Sequence, residues 1–169
     1  MKIETFTAQM ATNAQTIRQL LVGVSDEQAR WKPDDKSWSM LETINHLYVE
    51  EQSDFRVRLD YVLHKPGIEP PKIDPIGWVT EHNYNKRQLE PSLNNFLKER
   101  EKSLQWLGGL DKPDWNGTYT AYWRPIRAGD LFAAWVAHDI LHMRQLVELH
   151  YAWTKNQVQP YQVDYAGEW

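Results

Sequence analysis

The chain has 169 residues, of which 41% are hydrophobic and 25% are charged, and its formal net charge at pH 7 is −4. These values predict one globular domain over residues 1–169, and the acidic balance argues against a protein that holds nucleic acid through a basic surface. No apolar run approaches the roughly 20 residues of a membrane span, and the sequence has neither a signal-peptide block nor cysteine, so we expect a cytoplasmic protein without disulfides.

The first half of the chain predicts two long helices. The first covers about residues 5–22 and ends at Gly23, after which Ser25-Asp-Glu-Gln28 has the pattern of a capping box that begins a short helical turn. Ser39-Met-Leu-Glu42 is a second capping box, and it begins a helix that runs to about His64. Each box supplies partners for the unpaired N–H groups of a helix start, which is why it marks a boundary.

The second half predicts two more long helices, behind a connection that cannot be helical throughout. Residues 65–76 contain four prolines and one glycine, so we expect a long crossover there. A third helical stretch follows over about residues 78–107, with a bend expected near Pro91 and an end at Gly108-Gly109. Asp130 is predicted to be the N-cap of the last helix, which ends near residue 154.

The remaining segments are predicted to be irregular. Residues 111–129 are expected to form a loop that shapes a pocket, with Tyr84, Tyr122 and Arg124 as candidate lining residues. The tail over residues 155–169 is expected to pack on the body or on a partner subunit. Because no stretch alternates with the period of a strand, the prediction is an all-α four-helix bundle with a long connection between helices 2 and 3.

His138 and His142 are the most informative pair in the chain. Residues four apart are neighbours on one face of a helix, and two imidazoles in that position commonly bind the same divalent metal ion. The pair lies on the apolar stripe of the last helix, together with Leu131, Trp135 and Leu149. Because the chain has no cysteine, any metal must be held by His, Asp or Glu.

A stable site needs a third ligand, and the candidates are a carboxylate or one of His46, His64, His82 and His150. The helical rise puts His46 roughly 10 Å from the start of helix 2 and His138 roughly 12 Å from the start of helix 4. Those heights match if the two helices run parallel. His46 nevertheless falls among polar residues of its helix. The residues alone therefore leave open a three-histidine site in an open, hydrated cleft, or a surface His46 and two hydrogen-bonded histidines without metal.

Two groups of motifs resemble those of a known family. Trp31-Lys-Pro33, Lys36-Ser-Trp38-Ser39 and Leu41-Glu-Thr-Ile-Asn-His46-Leu are similar to the opening signature of the DinB/YfiT-like superfamily. Ala137-His-Asp-Ile-Leu-His142-Met-Arg-Gln145 is similar to its closing signature, which is H-D-x-x-H followed by Gln. The order and separation of the motifs also match, over about residues 6–153.

The resemblance implies a four-helix bundle of the DinB/YfiT type, often dimeric, in which three histidines hold zinc or nickel. Matched residue by residue, these ligands are His46, His138 and His142. Characterised relatives include transferases and isomerases that use low-molecular-weight thiols as cosubstrates. We therefore expect a metal-dependent enzyme, a thiol S-transferase or a hydrolase of small electrophilic substrates, in a homodimer without nucleic-acid or membrane partners. The alternative is a metal- or ligand-binding stress-response protein without turnover.

Two acidic residues near the histidines are predicted to have different roles. Glu50 lies one turn beyond His46 and is predicted to accept a proton in catalysis or to support a metal ligand, the alternative being a solvated surface glutamate. Asp139 is turned away from both histidines around the last helix. It is therefore predicted to form an ion pair or an outer hydrogen bond rather than to bind metal.

Overall fold

The computed structural model describes residues 2–120 and 125–167, and the structural statements below concern those residues. The helices, in chain order, are α1 (Ile3–Leu21), α2 (Asp26–Arg30), α3 (Met40–Ser53), α4 (Phe55–His64), α5 (Gly77–Glu81), α6 (Leu89–Gly108) and α7 (Ala128–Gln157). Two 3-10 turns cover Tyr84–Lys86 and Asp164–Ala166, and two short strands are β1 (Thr118–Thr120) and β2 (Pro125–Arg127). Helix α1, the α3–α4 pair, α6 and α7 form the predicted four-helix bundle, and residues 65–76 form the long connection.

The apolar faces of the four long segments meet in two adjoining clusters. One cluster joins Ile17 of α1, Ile44 of α3 and Phe96 of α6, each fully buried. The other joins Leu59 of α4 to Phe132 of α7 and their buried neighbours. Fully burying a side chain of this size contributes about 1.5–3 kcal/mol, so packing between the helices stabilises the bundle.

Both predicted capping boxes mark real helix starts. Ser25 caps α2, because its hydroxyl accepts a 3.1 Å hydrogen bond from the backbone N–H of Gln28. At the start of α3, the Ser39 hydroxyl accepts from the Glu42 N–H at 3.1 Å, and the Glu42 carboxylate accepts from the Ser39 N–H at 2.8 Å. This reciprocal pairing fixes the first turn of the helix that carries His46.

The predicted second helix is divided in the structure. Asp54 has φ −117° and ψ −88°, outside the helical region, so α3 ends at Ser53 and α4 begins at Phe55. Hydrogen bonds nevertheless continue across the break, from the Asp54 N–H to the Glu50 carbonyl and from the Arg58 N–H to the Asp54 carbonyl. The break is therefore a kink. No glycine or proline marks it in the sequence.

The predicted third helix is shorter than expected, and its predicted bend is wrong. Asn83 has a left-handed backbone with φ +50°, which ends the short segment that begins with α5. Helix α6 starts only at Leu89, after an extended Gln88. Pro91 lies in the first turn of α6, where a missing N–H removes no hydrogen bond of the helix, so it causes no bend there.

The region before the last helix contains a hairpin where a loop was predicted. Strands β1 and β2 pair antiparallel, with Tyr119 opposite Ile126. Helix α7 then begins at Ala128, and Asp130 is its third residue, not its N-cap. The Asp130 carboxylate accepts from the N–H of Arg127, the true N-cap, at 3.2 Å. The candidate pocket residues Tyr122 and Arg124 lie outside the described residues.

The C-terminal tail does not bury its tyrosines against the bundle. Helix α7 continues to Gln157, three residues beyond its predicted end. Tyr161 is 77% exposed and Tyr165 is fully exposed, so the expectation that the tail packs on the body is wrong for both. Among the described helices, none is long and apolar enough to span a membrane.

Candidate metal centre

Three of the six histidines come together where α3 faces α7. The Nε2 atom of His138 lies 3.3 Å from Nε2 of His46 and 3.1 Å from Nε2 of His142. The potential ligand atoms of all three lie within 4.8 Å of one another. The three residues that the sequence nominated as ligands therefore converge on one point.

The other three histidines have separate environments. His64 contacts Asp60 at the end of α4, and His82 stacks on Trp78. His150 has its Nε2 2.6 Å from the Leu20 carbonyl and its Nδ1 3.2 Å from the Gln28 amide, so this half-buried residue links α7 to α1 and α2. None of the three reaches the cluster on α3 and α7.

Two of the three nitrogen–nitrogen separations fit a tetrahedral metal ion. Zinc binds imidazole nitrogen at about 2.0–2.1 Å, so two nitrogens on neighbouring corners of its tetrahedron are about 3.3–3.4 Å apart. The two measured Nε2–Nε2 separations, 3.3 and 3.1 Å, are close to that value. Three nitrogen ligands leave the fourth position of such a site to water or substrate.

His46 is a buried residue, so the alternative of a surface histidine is wrong. Its exposed fraction is 6%, and its polar neighbours Thr43 and Glu50 are 0% and 4% exposed. Helix α3 is buried on its polar side as well, because α7 and the 65–76 connection cover it. His138 and His142 are half-buried, so the cluster opens to solvent along α7.

The three imidazoles are neutral at physiological pH. Burial lowers the pKa of His46 to about 3 and the pKa of His138 to about 2, and the neighbouring His142 lowers both further. Burial also lowers the pKa of His142, although the Gln145 hydrogen bond and the Asp139 carboxylate act in the opposite direction. Neutral imidazole is the form of histidine that binds a metal ion.

Hydrogen bonds on the outer side of two rings direct their lone pairs inward. The Nδ1 atom of His142 donates to Oε1 of Gln145 at 2.7 Å, which leaves Nε2 without a proton. His46 bonds to the backbone of Pro75, and because proline has no N–H, the imidazole must be the donor. Since Nε2 of His46 faces His138, its Nδ1 is that donor.

Aromatic rings enclose the cluster, and a cavity adjoins it. The Trp38 ring lies 4.9 Å from His46 and stacks parallel to His142 at 6.4 Å between centroids, while Phe55 lies 5.0 Å from His138. Trp38 and Gln145, which contact the imidazoles, also line a cavity of about 460 Å³, although none of the three histidines is among its described lining residues. Its lining residues are Pro33, Lys36, Ser37, Trp38, Gln145, Glu148, Leu149 and Ala152.

Glu50 is buried on α3, one turn beyond His46, so it is not the solvated glutamate of the alternative interpretation. Within the described part of the chain, its Oε1 atom has no hydrogen-bond partner. Burial, together with the charge and hydrogen bond of Asp54, raises the pKa of Glu50 to about 9. In the metal-free protein the side chain is therefore protonated at neutral pH.

Asp139 forms the ion pair that the sequence predicted, but the size of its network was not foreseen. Both of its oxygens accept from the Arg100 guanidinium at 2.7 Å, and Oδ2 also accepts from Asn13 at 3.1 Å. Arg100 binds Glu51 as well. Sequence reasoning missed Arg100, although it shares a helix face with Phe96 and Leu107. A charged residue inside an apolar stripe is the signal that reveals a buried pair.

Comparisons with known proteins agree with this architecture. The family model of the DinB superfamily matches residues 9–146. Among solved structures, the chain is similar to YfiT from Bacillus subtilis, described as a probable metal-dependent hydrolase with an unusual four-helix bundle topology. The two chains are 14% identical with a TM-score of 0.79, over 89% of this chain and 86% of YfiT, which shows a shared fold. No curated protein matches the chain.

Replacing Glu50 by glutamine gives a test of its protonation. Because the pKa of about 9 in the folded protein exceeds the ordinary 4.5, the folded wild type binds an extra proton between those pH values. We expect the unfolding free energy of the wild type, relative to Glu50→Gln, to fall as the pH rises from about 5 to 9, by at most about 1.4 kcal/mol per pH unit. Urea titrations of the two metal-free proteins measure this difference.

Glu99→Gln is the matched control, because Glu99 is also buried. Although burial acts to raise the pKa of Glu99, Lys102 and Arg56 lower it, so this residue is ionised at neutral pH. Its substitution should produce no loss of relative stability on the alkaline side. Parallel pH profiles for wild type and Glu50→Gln would contradict a protonated Glu50.

Proposed function

The chain belongs to the DinB superfamily, and from this premise we propose that it is a cytoplasmic metal-dependent enzyme that acts on small electrophilic substrates. The ligands of its divalent ion are His46, His138 and His142. The observation that carries the proposal is the convergence of three neutral imidazoles, with Nε2 of His138 3.3 Å from Nε2 of His46 and 3.1 Å from Nε2 of His142. Zinc or nickel suits a site made of imidazole nitrogens alone.

We propose that the residues around the metal ion have separate roles in the reaction. When bound, a divalent ion on three neutral imidazoles keeps its double positive charge, lowers the pKa of a bound water or thiol and polarises the substrate. Gln145 and Pro75 hold two of the imidazoles in the binding tautomer. Trp38 and Phe55 cover the rings with apolar surface and limit the access of bulk water.

Glu50 is the residue that we propose for proton transfer. It lies one turn beyond His46, it is buried, and it holds a proton at neutral pH. In hydrolysis it gives this proton to the leaving group and recovers one from the water that is consumed. Asp54, which is hydrogen-bonded to Glu50, keeps the proton on the pair between turnovers.

The cavity beside Trp38 is the space that we propose for the substrate. Trp38 and Gln145 line this cavity and also contact the imidazoles, so a molecule bound there would lie next to the cluster. The volume of about 460 Å³ suits a small organic molecule. Its wall carries one cationic and one anionic side chain, Lys36 and Glu148, so charge alone does not select the sign of the substrate.

Hydrolysis and thiol transfer remain two reactions of the same proposed centre. Hydrolysis is supported by the similarity to YfiT, itself described as a probable metal-dependent hydrolase. Thiol transfer requires a separate low-molecular-weight thiol as cosubstrate, because the chain has no cysteine. The nucleophile, water or thiol, distinguishes them experimentally.

Metal binding is the first prediction of this proposal. We expect metal-free protein to bind one zinc ion per chain, and saturation at 100 times the Kd to add about 2.7 kcal/mol to the unfolding free energy. His142→Ala should weaken binding by more than the roughly 10–100-fold caused by loss of an outer hydrogen-bond partner. Isothermal titration calorimetry and elemental analysis give affinity and stoichiometry.

His64→Ala is the control, since His64 lies at the end of α4 and pairs only with Asp60 and the Trp106 ring among the contacts of the described chain. It should leave zinc affinity unchanged. Absence of stoichiometric zinc in the wild type, or equal affinity in the His142→Ala variant, would show that the three histidines are not a metal site.

Turnover is the second prediction. We expect zinc- or nickel-loaded protein to convert small electrophilic esters, amides or halides, and the metal-free protein to be inactive. Glu50→Gln should lower kcat by about 10²–10⁴-fold, because glutamine cannot transfer the proton, while zinc affinity stays unchanged. Assays with and without added thiols identify the nucleophile. Tight ligand binding without turnover would favour the non-catalytic alternative.

We also propose that the protein is a homodimer. Its support is the outer face of α7, where Ile140, Leu141 and Val147 are 46%, 56% and 37% exposed. Apolar side chains that share one helix face are typical of an interface. Sedimentation equilibrium should give twice the chain mass, and Leu141→Glu should shift the mass toward the monomer. A monomeric wild type at micromolar concentration would contradict the dimer.

A further inference from the structure

We propose that Arg100 is the positioning residue of the metal site: its guanidinium fixes α3 and α7 at the separation and rotation that bring His46 and His138 together. The inference rests on the proposed metal site and adds a residue to it that no family motif identified. Arg100 itself touches neither the imidazoles nor, by this proposal, the substrate.

The guanidinium is fully paired inside the bundle. Its side chain is 2% exposed, and each of its five N–H groups has an acceptor. Nε and Nη2 donate to Oε1 of Glu51 at 2.9 and 2.6 Å. Nη1 and Nη2 donate to the two oxygens of Asp139 at 2.7 Å, and Nη1 also donates to the Met10 carbonyl at 3.1 Å. The guanidinium therefore cannot shift or rotate without losing at least one of these hydrogen bonds.

Both carboxylates stand on the helices that carry the histidines. Asp139 follows His138 directly on α7, and adjacent helical residues point about 100° apart. Holding the Asp139 carboxylate against α6 therefore sets the rotation of α7 and the direction of the His138 ring. Glu51 follows His46 by five residues on α3, so the same guanidinium also sets the position of that helix.

A second set of contacts ties the two ligand helices to each other through the same carboxylate. The indole N–H of Trp135 on α7 donates to Oε1 of Glu51 on α3 at 2.6 Å. The Trp135 ring stacks on Phe55 at 5.9 Å, and Phe55 lies 5.0 Å from His138. Movement of Glu51 would thus be transmitted to His138 through direct contacts.

Arg100→Lys tests the inference with the charge retained. A lysine ammonium is a compact point charge, and it cannot make two parallel bonds to a carboxylate as the planar guanidinium does. We expect the zinc Kd to rise about tenfold, the lower end of the roughly 10–100-fold range for loss of a group bonded directly to a metal ligand, because Arg100 acts through the helices. We also expect the visible absorption of the cobalt-substituted protein to change, because that spectrum reports the arrangement of the nitrogens around the ion.

Two carboxamide variants test the same inference from the other side of the ion pairs. Asp139→Asn and Glu51→Gln keep the shape of each partner and remove its charge. Each should weaken zinc binding by a similar factor of about ten, because each acts on the imidazoles through the helices. If circular dichroism shows that Arg100→Lys does not fold, these two variants alone test the positioning role of Arg100.

Two controls separate positioning from general stability. Glu99→Gln removes a buried partner of Arg56 from the neighbouring position on α6, and Leu93→Ala opens a cavity in the other apolar cluster. Neither residue contacts Glu51 or Asp139, so zinc Kd and cobalt spectrum should stay within about twofold of the wild type. If Leu93→Ala weakened zinc binding as much as Arg100→Lys does, the effect of Arg100 would be one of general stability, and the inference would be overturned.

The outcomes for Arg100 and for the metal site are distinguishable. Folded Arg100→Lys, or both carboxamide variants, with wild-type zinc affinity and cobalt spectrum would overturn the positioning role and leave the metal site intact. A wild type that binds no zinc would overturn the metal site, and the positioning role with it. Weaker binding and a changed cobalt spectrum, with both controls unaffected, would support the inference.

Discussion

Inside the bundle, the guanidinium of Arg100 must find an acceptor for every N–H group, because a buried charge that loses its partner destabilises a protein by several kcal/mol. Its acceptors come from α1, α3 and α7, so one side chain of α6 constrains the three other layers of the fold. The neighbouring histidines lie in the same apolar surroundings, but they are neutral there, whereas Arg100 keeps its charge. Arg100 contributes to this, since its charge helps to lower the pKa of His138 after burial and the other imidazoles.

Features that depend on neighbouring residues in the sequence were predictable. The capping box at Ser39–Glu42 gave the start of α3 to the residue, because its hydrogen bonds span only three positions. The His138–His142 pair was predictable because helical geometry alone brings residues four apart onto one face. The prediction of His46 as the third ligand needed further information. Its height along the bundle matched the height of His138 and His142, but only the family resemblance selected it from the other candidates.

Features that depend on tertiary partners were not predictable from one sequence. The kink at Asp54 carries no glycine or proline signal, and its carboxylate is placed between the buried Glu50 and the Arg58 side chain. The raised pKa of Glu50 follows from burial that the polar face of α3 did not suggest. Asp130 has the composition of an N-cap, yet Arg127 takes that position, because the hairpin delivers the chain to α7 one turn earlier.

The position of the cavity has an evolutionary consequence. The three imidazoles stand on α3 and α7, and the buried ion pairs of Arg100 on α6 connect those two helices. The cavity is lined from the segment before α3 and from the outer part of α7, where Lys36 and Ser37 take no part in the core. Substitutions at these positions can change the shape and charge of the cavity without loss of folding. The lining of the cavity can therefore vary at these positions while the helices that hold the three imidazoles stay the same.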